Sequence, residues 1–233
     1  MTFSELRTRV MAYSGERDAT KCGYAVNDAL TMMYNAIRWP FLRVDGTPLT
    51  MVANTQRYAL PSNFKFPNAF WYVNTKVGTP TYLGGSTRNL DKIDNGIPQK
   101  YRILKAAAPS GSPITRAAWF VDFEYIPNAS FISQYPTMSF DYYYKPADLS
   151  ADADEPQLDP ADHPIIVWGA VTLLTAKQND QGGFQMFVKM WQEGYRDMIQ
   201  NAIDFYGQNV VVPAGTDITE AETISYLDYG RPR

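Results

Sequence analysis

Phe3, Leu6, Val10 and Tyr13 recur at intervals of three and four residues, and Gly15 follows them. That spacing lines one face of a helix, so a helix is predicted over residues 2–13 with the glycine as its stop. A second helix is predicted from Asp18 to Arg38, with Cys22, Val26, Leu30, Met33 and Ile37 as its apolar stripe. Trp39-Pro40 ends it, because the residue before a proline avoids helical backbone.

From Leu49 to Lys145 the period changes to two. Trp119, Val121, Phe123 and Tyr125 alternate with Phe120, Asp122 and Glu124, and Met138, Phe140, Tyr142 and Tyr144 alternate with Ser139, Asp141, Tyr143 and Lys145. Shorter strands are predicted at Leu49–Val52, Gln56–Leu60, Ala69–Thr75 and Lys100–Leu104. Turn chemistry separates them at Ala53-Asn54-Thr55, Gly84-Gly85-Ser86, Asn95-Gly96 and Pro109-Ser110-Gly111-Ser112-Pro113. The pattern is that of an antiparallel β-sandwich or small barrel.

Helical spacing then returns. Pro164 to Lys177 is apolar almost all round, which predicts a buried helix. Gly182-Gly183 breaks the pattern, and a last helix is predicted over Phe184–Tyr206, carrying Phe187, Val188, Trp191, Tyr195, Met198, Ile199, Ala202 and Phe205 on one face. The expected fold class is α+β: a four-helix bundle, two helices N-terminal and two C-terminal, with an inserted β domain and an extended C-terminal arm. The boundaries are 1–45 and 149–206 for the bundle, 46–148 for the insertion and 207–233 for the arm. Helices that close across an inserted domain are a tolerated architecture.

Composition narrows the function. The chain has 233 residues, 45% of them hydrophobic and 14% aromatic, so a substantial core is expected. A net charge of -3 argues against a protein whose main work is gripping nucleic acid, which needs a basic face. It is compatible with a protein that DNA merely passes. Cys22 stands alone, so no intramolecular disulfide forms, as in a reducing compartment. Met1-Thr2-Phe3-Ser4-Glu5 is not a basic leader, and the longest apolar run, Ile165 to Leu174, falls short of the ~20 residues that span a bilayer. A soluble protein made in a cytoplasm, with no membrane partner, is expected.

The candidate chemistry centres on His163, the single histidine, flanked by Asp159 and Asp162 with Glu155 nearby. A histidine among acids is a common form of hydrolase and metal site. The same residues also spell a helix start: Asp162 is a good N-cap, Pro164 suits the first turn, and both aspartates sit at the positive end of the helix dipole. The capped-helix reading is preferred. Nucleophilic catalysis has only His163 as a histidine base, and no G-x-S-x-G elbow is present. Zinc sites draw on several Cys and His ligands, and the chain has one of each. There is no glycine-rich phosphate loop. A calcium loop over Asp152, Asp154, Glu155 and Asp159 has the wrong spacing, with Pro156 and Pro160 within it. No catalytic residue, metal or cofactor is therefore assigned. A pair of carboxylates that meet only in the fold, as in a glycan hydrolase, stays open.

Three stretches point to contacts instead. From Pro146 to Ala176 there is no lysine or arginine, but six acids: Asp148, Asp152, Asp154, Glu155, Asp159 and Asp162. This is either a solvated linker or a face that repels phosphate or meets a basic partner. Tyr142, Tyr143 and Tyr144 place rings on both faces of a strand, so one face is core and the other is expected to expose an aromatic ring beside Lys145 for a subunit contact. In the arm, Val210-Val211-Val212 suits strand addition at a sheet edge. Tyr226, Leu227, Tyr229, Arg231 and Arg233 are the predicted interface residues, as anchors and as partners for acids on another chain.

Several stretches resemble the head-to-tail adaptor (connector) proteins of tailed bacteriophages: SELRTRVMAYSG, a second helix closing on AIRWPFL, the QRYALP strand, and above all YYYKPADLSADADEPQLDPADHPIIVWGAV. The resemblance reaches to about Tyr206, and residues 71–113 match nothing in it. It implies a structural virion protein of the neck, at the head-tail junction, forming a ring of typically twelve copies. Such a ring sits beneath the portal protein, extends the DNA channel and meets a tail or nozzle protein, with DNA passing unbound. It implies no catalytic residues. The alternative is a tail-associated module whose β domain grips carbohydrate or a tail fibre.

Overall fold

The computed structural model describes residues 1–73, 80–86, 95–106, 118–176 and 181–206. In chain order its helices are α1 (Phe3–Ser14), α2 (Ala19–Ala36), α3 (Ala129–Gln134), α4 (His163–Thr175) and α5 (Gln181–Tyr206). Its strands are β1 (Arg43–Thr50), β2 (Arg57–Ala59), β3 (Phe64–Val73), β4 (Pro80–Tyr82) and β5 (Gly84–Gly85). They continue with β6 (Asn95–Gly96), β7 (Lys100–Ala106), β8 (Ala118–Phe123), β9 (Ile126–Pro127) and β10 (Thr137–Tyr144). The described residues form two compact units: Met1–Pro40 with those from Pro146 onward, and those within Phe41–Lys145. The fold is α+β.

In the helical unit, local capping sets the ends. Thr2 Oγ1 accepts from Glu5 N at 3.3 Å while the Glu5 carboxylate accepts from Thr2 N at 2.9 Å, a reciprocal capping box. Gly15 closes α1 in the left-handed region. Asp18 accepts from Thr20 N and Lys21 N and opens α2. That helix stops at Ala36, earlier than the proline rule predicts, because Ile37 is already extended. The Trp39 indole then folds back and donates to Met33 O at 2.8 Å. The predicted α2 stripe, Cys22, Val26, Leu30, Met33 and Ile37, is buried throughout.

Helix α4 packs against α1, α2 and α5, so it is the hub of the cluster, as its nearly continuous apolar sequence requires. Close approach depends on Gly169. A Cβ there would stand 2.9 Å from Trp191 Nε1 of α5 and 3.2 Å from Ala29 Cβ of α2. Helix α5 starts before Gly182-Gly183, so this pair lies in its first turn and does not break it. First-turn residues have no intrahelical N–H partner to lose, and glycine is tolerated there. Lys177, the predicted end of the preceding helix, lies outside the described residues.

The β unit holds two four-stranded sheets, ordered β1-β10-β3-β4 and β2-β8-β7-β5, and a short β6-β9 pair. Both four-stranded sheets face one core of Tyr58, Phe64, Phe70, Tyr72, Val121, Phe123, Met138, Phe140 and Tyr142. Phe70 stacks on Phe140 at 5.1 Å and 8°, and Phe64 on Tyr142 at 5.6 Å and 22°. Three expectations change. The β1-β10-β3-β4 sheet is antiparallel throughout, but the β2-β8-β7-β5 sheet is mixed, since β5 pairs with β7 in parallel. β6 also pairs with β9 in parallel, and Gly84-Gly85 and Asn95-Gly96 form these short strands rather than free turns. Strand β1 begins at Arg43, well before Leu49, because a bulge between Val44 and Thr47 interrupts the alternation that would have revealed it. Helix α3 has only six residues, too few to show a period, and is set by the Asn128 side chain accepting from Phe131 N at 2.7 Å. Asn54, in the predicted turn, adopts a positive φ of 61°. The turn at Pro109–Pro113 and the end of the predicted Ala69–Thr75 strand lie outside the described residues.

Candidate functional site: the histidine turn and the acidic segment

The acidic segment folds itself before it can face anything else. The Asp154 carboxylate accepts from Ser150 N and Ala151 N, both at 2.7 Å, and from Ser150 Oγ at 3.3 Å. The two backbone bonds lead the causes that hold its pKa below the usual aspartate value. Segment and helices are tied by backbone bonds: Phe3 N donates to Asp154 O at 2.7 Å, and Ser4 N to Asp152 O at 3.1 Å. Arg7 pairs with Asp152 across the same seam. Asn27 of α2 clasps Leu149 in both directions, Nδ2 to O at 3.0 Å and N to Oδ1 at 2.9 Å, and the Tyr34 hydroxyl accepts from Gln157 N at 3.0 Å. Between α2 and this segment lies an open cleft of about 280 Å³, floored by Leu30 and Tyr34 and rimmed by Asp148, Asp154 and Glu155.

The helix start at His163 departs from its predicted form in one respect. A 3-10 turn, Pro160–Asp162, precedes α4, and its cap is Asp159, whose side chain accepts from Ala161 N at 2.8 Å. Asp162 already has helical backbone and makes no side-chain cap bond. The prediction of Asp162 as the capping group is corrected: the 3-10 turn moves the cap three residues earlier. Burial, then the Asp159 charge, raise the Asp162 pKa. Pro164 falls in the first turn as its missing N–H requires.

His163 itself is 1% exposed. Its Nε2 lies 3.2 Å from Leu158 O and its Nδ1 lies 2.5 Å from the Met1 amino group. A neutral ring satisfies both contacts when Nε2–H donates to the carbonyl and Nδ1 accepts from the amine. Burial, then the Met1 charge, lower its pKa, against the opposing pull of Leu158 O, Glu155 and Asp159. In that tautomer neither nitrogen has a lone pair left for a metal or for a substrate proton. Among the described residues no three His, Cys, Asp or Glu side chains come together as a metal would need. The Cys22 thiol is buried, and burial is the first cause that raises its pKa, so it is a poor nucleophile.

The aromatic strands also resolve into packing. Trp119 and Tyr144 lie against the β core and Tyr142 is part of it. Tyr143, expected at the surface beside Lys145, is 4% exposed, set between Arg43 and Phe66 in the strand ladder. Among the described residues the exposed large rings are Phe41, Phe66 and Tyr82 in the β unit and Tyr13 and Tyr24 in the helical unit. Only a period-two count along β4 would have suggested Tyr82, and β4 is too short to show one. Tyr226, Leu227, Tyr229, Arg231 and Arg233, and the Val210–Val212 run, lie outside the described residues.

Among the described residues the histidine turn and the acidic segment tie the helices and the linker together. A family model for SU10 adaptor proteins matches residues 1–213. The chain belongs to the SU10 adaptor protein family. A search of curated proteins finds no match. Membership bears out the resemblance to phage head-to-tail adaptors, so this is a structural adaptor of a phage particle. Among the described residues of the adaptor no helix is long and apolar enough to cross a membrane.

Proposed function

We infer that copies of this adaptor form a ring, typically of twelve, at the neck of the virion, joining the portal protein to a tail or nozzle protein and lining the channel through which DNA passes unbound. The observation that carries this reading is the family match over residues 1–213. Two others support it. The nearer predicted acids are bound into a helix start, with Asp159 as the cap and Asp162 half-buried in the turn before α4, and His163 is itself buried with both ring nitrogens in contact, which favours a structural reading. A net charge of -3 suits a conduit that does not hold its cargo. In this reading the helices of 1–45 and 149–206 act as a four-helix bundle, and the β sandwich of 46–148 is an insertion that meets neighbouring copies or the tail. Residues 207–233 are an arm whose Tyr226, Leu227, Tyr229, Arg231 and Arg233 touch another chain. No cofactor, metal or catalytic group takes part. The reading of the β domain as a module that grips carbohydrate or a tail fibre loses ground, because Trp119, Tyr142 and Tyr144 pack on its own core.

A variant ending at Gly207 tests the arm. Its circular dichroism and melting should match those of the full chain, while its attachment to purified portal particles, counted by electron microscopy, should be lost. Normal attachment of the shortened chain would refute the arm contact.

A further inference from the structure

Strand β1 lies at the end of its sheet, paired with β10 on one side only among the described residues. It has eight residues, against three in β4 and β2 and two in β5, so it is the longest edge in the unit. An edge of this length is a template for pairing with another chain, and a protein present in many copies is most exposed to that error.

Three features of β1 work against such pairing. Val44 stands opposite Tyr142 and Thr47 opposite Phe140, so Asp45 and Gly46 together face the single residue Asp141. This two-against-one bulge twists the strand and breaks its row of hydrogen-bonding groups. Gly46 sits at φ 65°, where any side chain is strained, and its N–H donates to Asp141 Oδ1 at 2.8 Å. Arg43 Nη2 donates to Asp141 Oδ2 at 2.9 Å. Asp141 is 6% exposed, and a carboxylate is placed in a buried position only where its partners compensate it; here one of those partners is the bulge itself. Next, Pro48 is opposite Ser139 in the ladder. A proline is accommodated there only with its nitrogen turned away from the partner strand, so the missing N–H is on the open side. Last, Asp45 is exposed at the bulge and paired with Arg43, which places charge along the same edge.

We propose that the Asp141-held bulge, together with Pro48, is a guard that keeps copies of this chain from joining strand to strand along β1. Contacts made along this edge are thereby left to side chains. The guard does not depend on the copy number or on the arm.

The test compares the full chain with Pro48→Val, and with a variant that deletes Gly46 and carries Pro48→Val. Pro48→Val restores the absent donor and removes no hydrogen bond. The second variant also makes the strand regular. At equal concentration both should run larger than the parent by light scattering and gain the infrared band of intermolecular β-structure, the second more strongly. The parent supplies the baseline for any self-association that the ring reading requires. If the deletion does not fold, Pro48→Val alone decides. Folded variants that keep the parent's size and infrared spectrum would overturn the proposal.

Discussion

The helical unit and the β unit use their charged groups in opposite ways. In the helical unit four acids bond backbone N–H groups a few residues away, Glu5 to Thr2, Asp18 to Thr20 and Lys21, Asp154 to Ser150 and Ala151, and Asp159 to Ala161, and Asp152 departs from them by pairing with the distant Arg7. In the β unit the two buried aspartates reach far along the chain. Asp141 binds Arg43 across 98 residues and Gly46 across 95, and Asp122 binds Arg57 across 65 and Arg102 across 20. Local acids set where elements begin. Distant ones set which strands are neighbours. A substitution should therefore shift a helix end in the first unit, but weaken a whole sheet in the second.

The strongest challenge to this contrast is Phe140→Ala. Phe140 is 1% exposed and stacks on Phe70 and Tyr142, so its loss should remove about 3–5 kcal/mol. Hydrogen exchange should accelerate in β1, β3 and β10 while α2 and α4 keep their protection. Equal loss in both regions would show a single cooperative unit and remove the basis of the contrast.

Next comes Asp122, which lies between two guanidiniums. Arg57 grips it through Nε at 2.7 Å and Nη2 at 2.9 Å, and Arg102 adds a bond at 3.1 Å. Asp122→Ala should cost about 2–3 kcal/mol, below the ~3–5 of a fully buried pair because Arg57 is half exposed. Burial alone would raise the Asp122 pKa, but the bonds and charges of Arg57 and Arg102 bring it below the usual aspartate value. The folded state thus binds its proton less readily than the unfolded chain. The stabilisation is complete above the unfolded pKa and is lost as pH falls through the folded one. Denaturant melts on the acid side should show that loss in the parent and a smaller one in Asp122→Asn.

The smallest effect is the most local. Asp159→Ala removes the cap and should cost about 1 kcal/mol, whereas Asp162→Asn breaks no cap bond and should stay within about 0.5 kcal/mol. Thermal melts of the two variants separate the capping residue from its neighbour, and the reverse order would restore Asp162 as the cap.

The same contrast explains what could be read from the chain. Helix α1 declared itself through the spacing of Phe3, Leu6 and Val10 and the stop at Gly15, all within one short window, and the α2 stripe was buried as its spacing predicts. Strands β8 and β10 were legible because their alternation runs six and eight residues. The start of β1 was not, because the bulge shifts its phase, and the parallel partners of Gly84 and Asn95 lie where no local pattern points. At the histidine turn the helix start was legible, but the role of one residue was not. The 3-10 turn before α4 has no period of its own, so Asp162 was the natural choice of cap and Asp159 the real one. The burial of Tyr143 depends on its cross-strand neighbours, which sequence spacing does not name.

The hub position of α4 has a consequence for synthesis. Helices α1 and α2 bury their apolar faces against α4, which begins 127 residues after α2 ends at Ala36 (163 less 36). At a translation rate of about 5–20 residues per second, those two helices leave the ribosome roughly 6–25 seconds before their main partner exists. Residues 41–145, by contrast, are contiguous and hold their whole core between them. The order of emergence thus runs counter to the order of the chain: the middle is equipped to fold first, and the beginning must wait for the end.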